Sequence, residues 1–215
     1  MTAVSAITFD FNGTLSNDEP ILCKIFRALF HERGRPLSEQ EYYDELAGLS
    51  DEAIVTTWLG DDYPDVHGAV AERIRRYREV VEDGSTIEES AREAVRYAAA
   101  KVPLAIVSGA ALEEILPVVR AAGIEQLFQA IVSSDGVVHG KPHPEGYLRA
   151  IDLLGVAADE VVAFEDTESG IASATGAGVR CIAVRGTLAP HRLGRADELV
   201  EGIDVDVVRR LLDES

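Results

Sequence analysis

The chain has 215 residues, 47% of them apolar and 27% charged, with eight prolines; it can bury a sizeable core and is neither disordered nor collagen-like. Thirty-eight acids against twenty bases leave a net charge of −18, which repels phosphate backbones and anionic headgroups and argues against nucleic acid or membrane as partners. Two cysteines, Cys23 and Cys181, are too few for a disulfide framework and lack metal-ligand spacing. No apolar run approaches the length of a membrane span, and the opening Met1 to Phe9 is too short and uncharged for a signal peptide, so a reducing cytoplasm is the expected location.

The first apolar run, Ala3 to Phe9, stops abruptly at Asp10 and is followed by Asn12-Gly13-Thr14; it reads as a buried strand delivering a loop. Helical patterns then follow without an intervening strand, at Ile21 to Arg33, Glu39 to Leu46, Asp51 to Leu59 and Val66 to Val81. After the helical stretch Ile87 to Ala100 the rhythm changes. Strand candidates at Val102–Val107, Ala130–Val132, Val161–Phe164 and Cys181–Val184 alternate with helices at Leu112–Ala122, Pro144–Leu154 and Ser169–Ala177, each closed by a glycine at 123, 155 or 178. A last helix is expected at Val205 to Leu212. Strands alternating with helices predict an α/β fold, a Rossmann-like parallel sheet core, with a small inserted all-helical cap domain. The expected division is residues 1–14 and 87–215 for the core and 15–86 for the cap.

Parallel sheets place ligands at the carboxyl ends of their strands, and there the chain puts Asp10, Ser108 and Glu165-Asp166. Asp10 is the candidate nucleophile, a carboxylate able to form an acyl phosphate and split one hard step into two. Glu165 and Asp166 are adjacent hard-oxygen donors suited to Mg²⁺. Ser108 and the amide of Gly109 precede a helix whose N-terminal donors can hold an anion. Lys141, one of only three lysines, supplies positive charge. Mg²⁺ and this lysine together reconcile an acidic chain with an anionic substrate.

In order and spacing, Asp10-Phe11-Asn12-Gly13-Thr14, Ser108-Gly109, Lys141-Pro142 and Glu165-Asp166-Thr167 resemble the four motifs of the haloacid dehalogenase superfamily, in its phosphatase and β-phosphoglucomutase-like branch. The match spans almost the whole chain. The resemblance implies a Mg²⁺-dependent hydrolase of phosphoric monoesters or acyl phosphates acting through a covalent aspartyl phosphate. Asp10, Asn12, Ser108 and Lys141 fall at catalytic positions. The metal would be held by Asp10, the backbone carbonyl of Asn12, Glu165 and Asp166. Substrate would be met by Gly13, Thr14 and Gly109 and by Leu49 and Ser50 of the cap loop Gly48–Asp51. Such an enzyme is expected to be a monomer or weak dimer.

One position departs from the pattern. Phosphatases and mutases of this family usually carry aspartate where this chain has Asn12, and that acid protonates the leaving oxygen. An amide cannot, a loss worth roughly 3 to 5 kcal/mol of barrier for poor leaving groups. A native enzyme for activated phosphates, a weakened phosphate-binding or regulatory relative, and a chain mutated to trap substrate all fit this residue. The sugar-phosphate mutases' proton-handling histidine and distal lysine and arginine align locally with Leu22, Ala47 and Asp51, all three absent. Asp18, Glu19, Asp51 and Glu52 are expected near the mouth, where they would repel a second phosphate. The five histidines, at 31, 67, 139, 143 and 191, show no ligand spacing and are expected to be structural or solvated.

Overall fold

A computed structural model describes residues 3–213; residues 1–2 and 214–215, the outer ends of the expected core, lie outside it. Six strands form one parallel sheet: β1 (Ala6–Phe9), β2 (Leu104–Val107), β3 (Ala130–Val132), β4 (Val161–Glu165), β5 (Arg180–Val184) and β6 (Glu198–Val200). Their spatial order is β3-β2-β1-β4-β5-β6, so β1 lies centrally and the chain direction of winding reverses between β1 and β4. Ligand crevices open at such a switch point, outside the strands' carboxyl ends. The pairing Phe9 to Phe164 sets Asp10 beside Glu165-Asp166, and the two rings stack at 5.3 Å across the strands. Strands β1, β2 and β4 are buried along their whole length, which is why each reads as an unbroken apolar run.

Between β1 and β2 lie α1 (Glu19–Glu32), α2 (Glu39–Glu41), α3 (Asp51–Leu59), α4 (Val66–Val81) and α5 (Glu89–Ala99). The α-helices among the described residues are completed by α6 (Leu112–Ala121), α7 (Glu145–Leu154), α8 (Glu168–Gly176) and α9 (Val205–Asp213). Expected and observed spans coincide for α3 and α4. Helix α1 begins two residues before the apolar pattern does, because Pro20 is tolerated in a first helical turn. The expected helix over Glu39 to Leu46 is instead one α-turn, closed by a Ser38–Glu41 capping box, that widens into a π-turn over Tyr42–Leu46. That turn seats Tyr42 and Leu46 in the core. Strand β6 had no apolar run to announce it: three residues flanked by acids pair with β5 at the sheet edge, where Arg210 bonds Glu198. Charge on an edge strand discourages pairing with another chain. Among the described residues no helix is long and apolar enough to cross a membrane.

Candidate active site

The loop after β1 is shaped by its own backbone. Ser16 N–H donates to the Phe11 carbonyl at 2.8 Å and Leu15 N–H to the Asp10 carbonyl at 3.3 Å, so the chain turns back directly behind the Asp10 side chain. Gly13 is in the left-handed region, with φ of 72°, and a Cβ there would run into the Asp166 carboxylate and the Thr187 hydroxyl. The glycine therefore lets the β1 loop and the end of β4 meet.

Three buried carboxylates converge at this point. Asp10, Glu165 and Asp166 each place an oxygen within 4.8 Å of the others. Lys141 Nζ stands 2.5 Å from Asp10 Oδ1 and 2.6 Å from Glu165 Oε1. Tyr147 donates its hydroxyl to Glu165 Oε1 at 2.6 Å. Asp166 accepts from the Thr14 hydroxyl at 3.0 Å and from Thr187. Burial alone would depress the Lys141 ammonium, but the carboxylates of Asp10 and Glu165 outweigh it and hold the lysine above its usual range. Burial, then repulsion by Asp10 and Glu165, pushes Asp166 well above the carboxylate range; Glu165 is also raised, by burial against the pull of Lys141. One ammonium does not balance three carboxylates, and Glu165 Oε2 is buried without a partner. The donor set is all hard oxygen. It fits a divalent cation such as Mg²⁺.

A cavity of about 290 Å³ opens over these groups. Asp10, Asn12, Ser108, Gly109, Lys141 and Asp166 line its floor, and Leu49 and Ser50 reach it from the helical insert. Ser108 Oγ accepts from Ala110 N–H at 3.1 Å, fixing the start of the turn into α6. Gly13 and Thr14 do not line this cavity: Gly13 N–H is held by Asp18 and Thr14 by Asp166, so both lie behind the floor. Glu165 is likewise a layer back, fully buried beneath Lys141.

Tyr42, Arg73 and Tyr77 carry no signal in the sequence, and they partner acids expected near the mouth. Asp18 precedes α1 yet its side chain makes no capping bond; it turns inward instead, accepting from Asn12 Nδ2 at 2.9 Å, Gly13 N–H at 3.1 Å and Tyr77. Asn12 Nδ2 also lies 3.3 Å from the Tyr77 hydroxyl. Glu19 lines the cavity and accepts from Tyr42 at 2.8 Å. Arg73, nearly buried on α4, pairs with Asp51 at the start of α3 and with Glu114 on α6, and also reaches the cavity. The expected ring of four repelling acids is thereby corrected. Asp18 is fully buried behind Asn12, Asp51 is neutralised by Arg73, and Glu52 stands off beside His67. Of these four, Glu19 alone lines the cavity as an acid without a basic partner.

Burial pushes Asp18 up to about 6 and Glu19 to about 7. A carboxyl raised on folding makes the folded state the better proton binder, so its stabilising contribution is present in acid and lost as pH climbs from the unfolded value near 4 through 6 to 7. Each of these raised values is worth on the order of 3 kcal/mol. Below this window the sign reverses, because Glu145 is held at about 2 by the Val138 amide and His139. We expect the melting temperature of chelator-treated protein to fall between about pH 5 and about pH 7. A flat or rising profile would remove burial as the cause.

A family model of haloacid dehalogenase-like hydrolases matches residues 7–184. The chain is 27% identical over 186 residues to a phosphorylated carbohydrates phosphatase of Thermotoga maritima, covering 83% of this chain and 84% of that one. It is 26% identical over 211 residues to a phosphoglycolate phosphatase of Chromobacterium violaceum, covering 95% and 92%. Among solved structures, a mutant of CbbY from Rhodobacter sphaeroides in complex with xylulose-1,5-bisphosphate superposes with a TM-score of 0.82 at 26% identity, over 93% of this chain and 94% of the other.

Proposed function

Because the chain belongs to the haloacid dehalogenase-like hydrolases, we propose that it is a Mg²⁺-dependent phosphatase working through an aspartyl phosphate at Asp10. The observation that carries this reading is the contact of Lys141 with Asp10 inside a cluster of three carboxylates at the strand ends. Lys141 holds Asp10 Oδ1, which leaves Oδ2 as the attacking oxygen. In the first step an Asp10 oxygen bonds to phosphorus and the bond from phosphorus to the leaving oxygen breaks; in the second, water attacks phosphorus and restores the carboxylate. Mg²⁺, held by Asp10, the Asn12 backbone carbonyl, Asp166 and Glu165, would supply charge neutralisation for the phosphoryl oxygens. Ser108, the Gly109 amide and Lys141 bind the remaining phosphoryl oxygens on the cavity floor.

Asn12 limits the substrate. Its Nδ2 is committed to Asp18 and Tyr77, leaving Oδ1, an acceptor, for the cavity. No proton reaches the leaving oxygen from that group, which favours acyl phosphates and other esters with good leaving groups. Arg73 is already matched by two carboxylates, and Leu22, Phe26 and Ile54 supply apolar wall, so the remainder of the substrate is small and neutral rather than a second phosphate. Asn12 also favours a second reading, a weakened relative that binds phosphate without turning it over.

One experiment separates the two. Protein mixed with Mg²⁺ and acetyl phosphate, quenched in acid and digested, should carry phosphate on the peptide containing Asp10, and the Asp10→Asn variant should not. Bound but never covalently attached phosphate would decide for the weakened relative.

A further inference from the structure

A second group of metal-ligating side chains lies on the segment that carries Lys141. His139 Nδ1 is 2.9 Å from Glu145 Oε2, and His143 Nδ1 is 3.9 Å from the same oxygen. The two imidazole rings face each other at 4.6 Å between centroids. One donor atom from each of the three residues falls within 4.8 Å of the other two. Tetrahedral zinc with bonds of the usual length sets its ligand atoms about 3.3 Å apart. The spacings 2.9 and 3.9 Å bracket that value, so small side-chain rotations suffice.

The arrangement is held from behind. The Glu145 carboxylate accepts the Val138 and His139 amides at 2.7 and 3.0 Å, which fixes the carboxylate across the loop. His143 stands between Pro142 and Pro144, whose rings restrict its backbone. A metal would displace two contacts, the His139 Nδ1–Glu145 Oε2 hydrogen bond at 2.9 Å and the longer one from Glu145 N–H to His143 Nδ1 at 3.3 Å. Both imidazoles are more than half exposed, open to an incoming ion, and both line the mouth of the cavity.

We propose that His139, His143 and Glu145 form a binding site for a borderline transition-metal dication of the zinc or copper kind, separate from the carboxylate cluster at Asp10. Two imidazoles and one carboxylate prefer such ions over Mg²⁺, and three protein ligands leave a coordination position open. An ion there ties together the residues two before and two after Lys141.

The test is titration of the full chain with ZnCl₂ by calorimetry, with Cu²⁺ electron paramagnetic resonance as the second readout. With the carboxylate cluster saturated by Mg²⁺, one zinc should bind, with affinity falling at least about tenfold in His139→Ala and in His143→Ala. The Cu²⁺ spectrum should show nitrogen hyperfine splitting that both substitutions reduce. Zinc binding should persist in Asp166→Asn. Both histidines are exposed, so their removal should leave the melting temperature unchanged. Binding that survives both histidine substitutions, is lost in Asp166→Asn, or is absent in the intact chain overturns the proposal. None of these readouts depends on phosphatase activity.

Discussion

Asp10→Asn should abolish turnover, by at least about 10⁴-fold on acetyl phosphate, while leaving the protein as stable as before or more so. The two halves of this result have one cause. Asp10 is one of three carboxylates facing a single ammonium, and its charge raises both Glu165 and Asp166. Taking that charge away relieves repulsion while Lys141 keeps Glu165 as its partner at 2.6 Å. A residue retained for packing would show the reverse, lost stability with activity in proportion. The measurement is initial rate and melting temperature on the same preparations. Turnover within tenfold of the parent chain would eliminate Asp10 as the nucleophile.

Asn12→Asp should raise the rate on an alkyl phosphate by about 10² to 10³-fold and barely change it on acetyl phosphate. The structure supplies a reason beyond the family pattern. The new carboxyl would lie where the amide now meets Asp18, and two acids at hydrogen-bond distance in a buried pocket cannot both ionise. One keeps its proton near neutrality, which is the state a leaving alkoxide requires and an acetate does not. Adding Asp18→Asn to the variant should lower the pH at which the gain disappears, since the neighbouring charge that retains the proton is gone. Equal gains on the two substrates would show that position 12 acts on something other than the leaving group.

The parts of the site legible in the sequence share a grammar. Asp10, Ser108 and Asp166 each follow an apolar run that the sheet buries on both faces, and the abrupt change from apolar to polar marks a strand end. The supporting layer has no such marker. Tyr77 reaches Asn12 from 65 residues away, and Arg73 reaches Glu114 from 41. Each of these residues, taken locally, fits an amphipathic helix. Asp18 was misleading in a different way: expected near the mouth, it is turned inward by tertiary packing onto Asn12 and Tyr77. His139 and His143 are four apart in a loop, and no helix face brings them together; the Pro-rich turn and Glu145 do. Acidity near the mouth was likewise overestimated, because composition counts Asp51 but not the guanidinium laid against it.

The pairing of Arg73 with Glu114 also fastens the helical insert to the core. One partner is on α4 of the insert and the other on α6 beside the sheet, and both are almost wholly shielded from water. Parting them strands a charge in a dry environment, which costs on the order of 3 to 5 kcal/mol until water arrives. Added salt, which weakens exposed ion pairs, hardly touches one this dry.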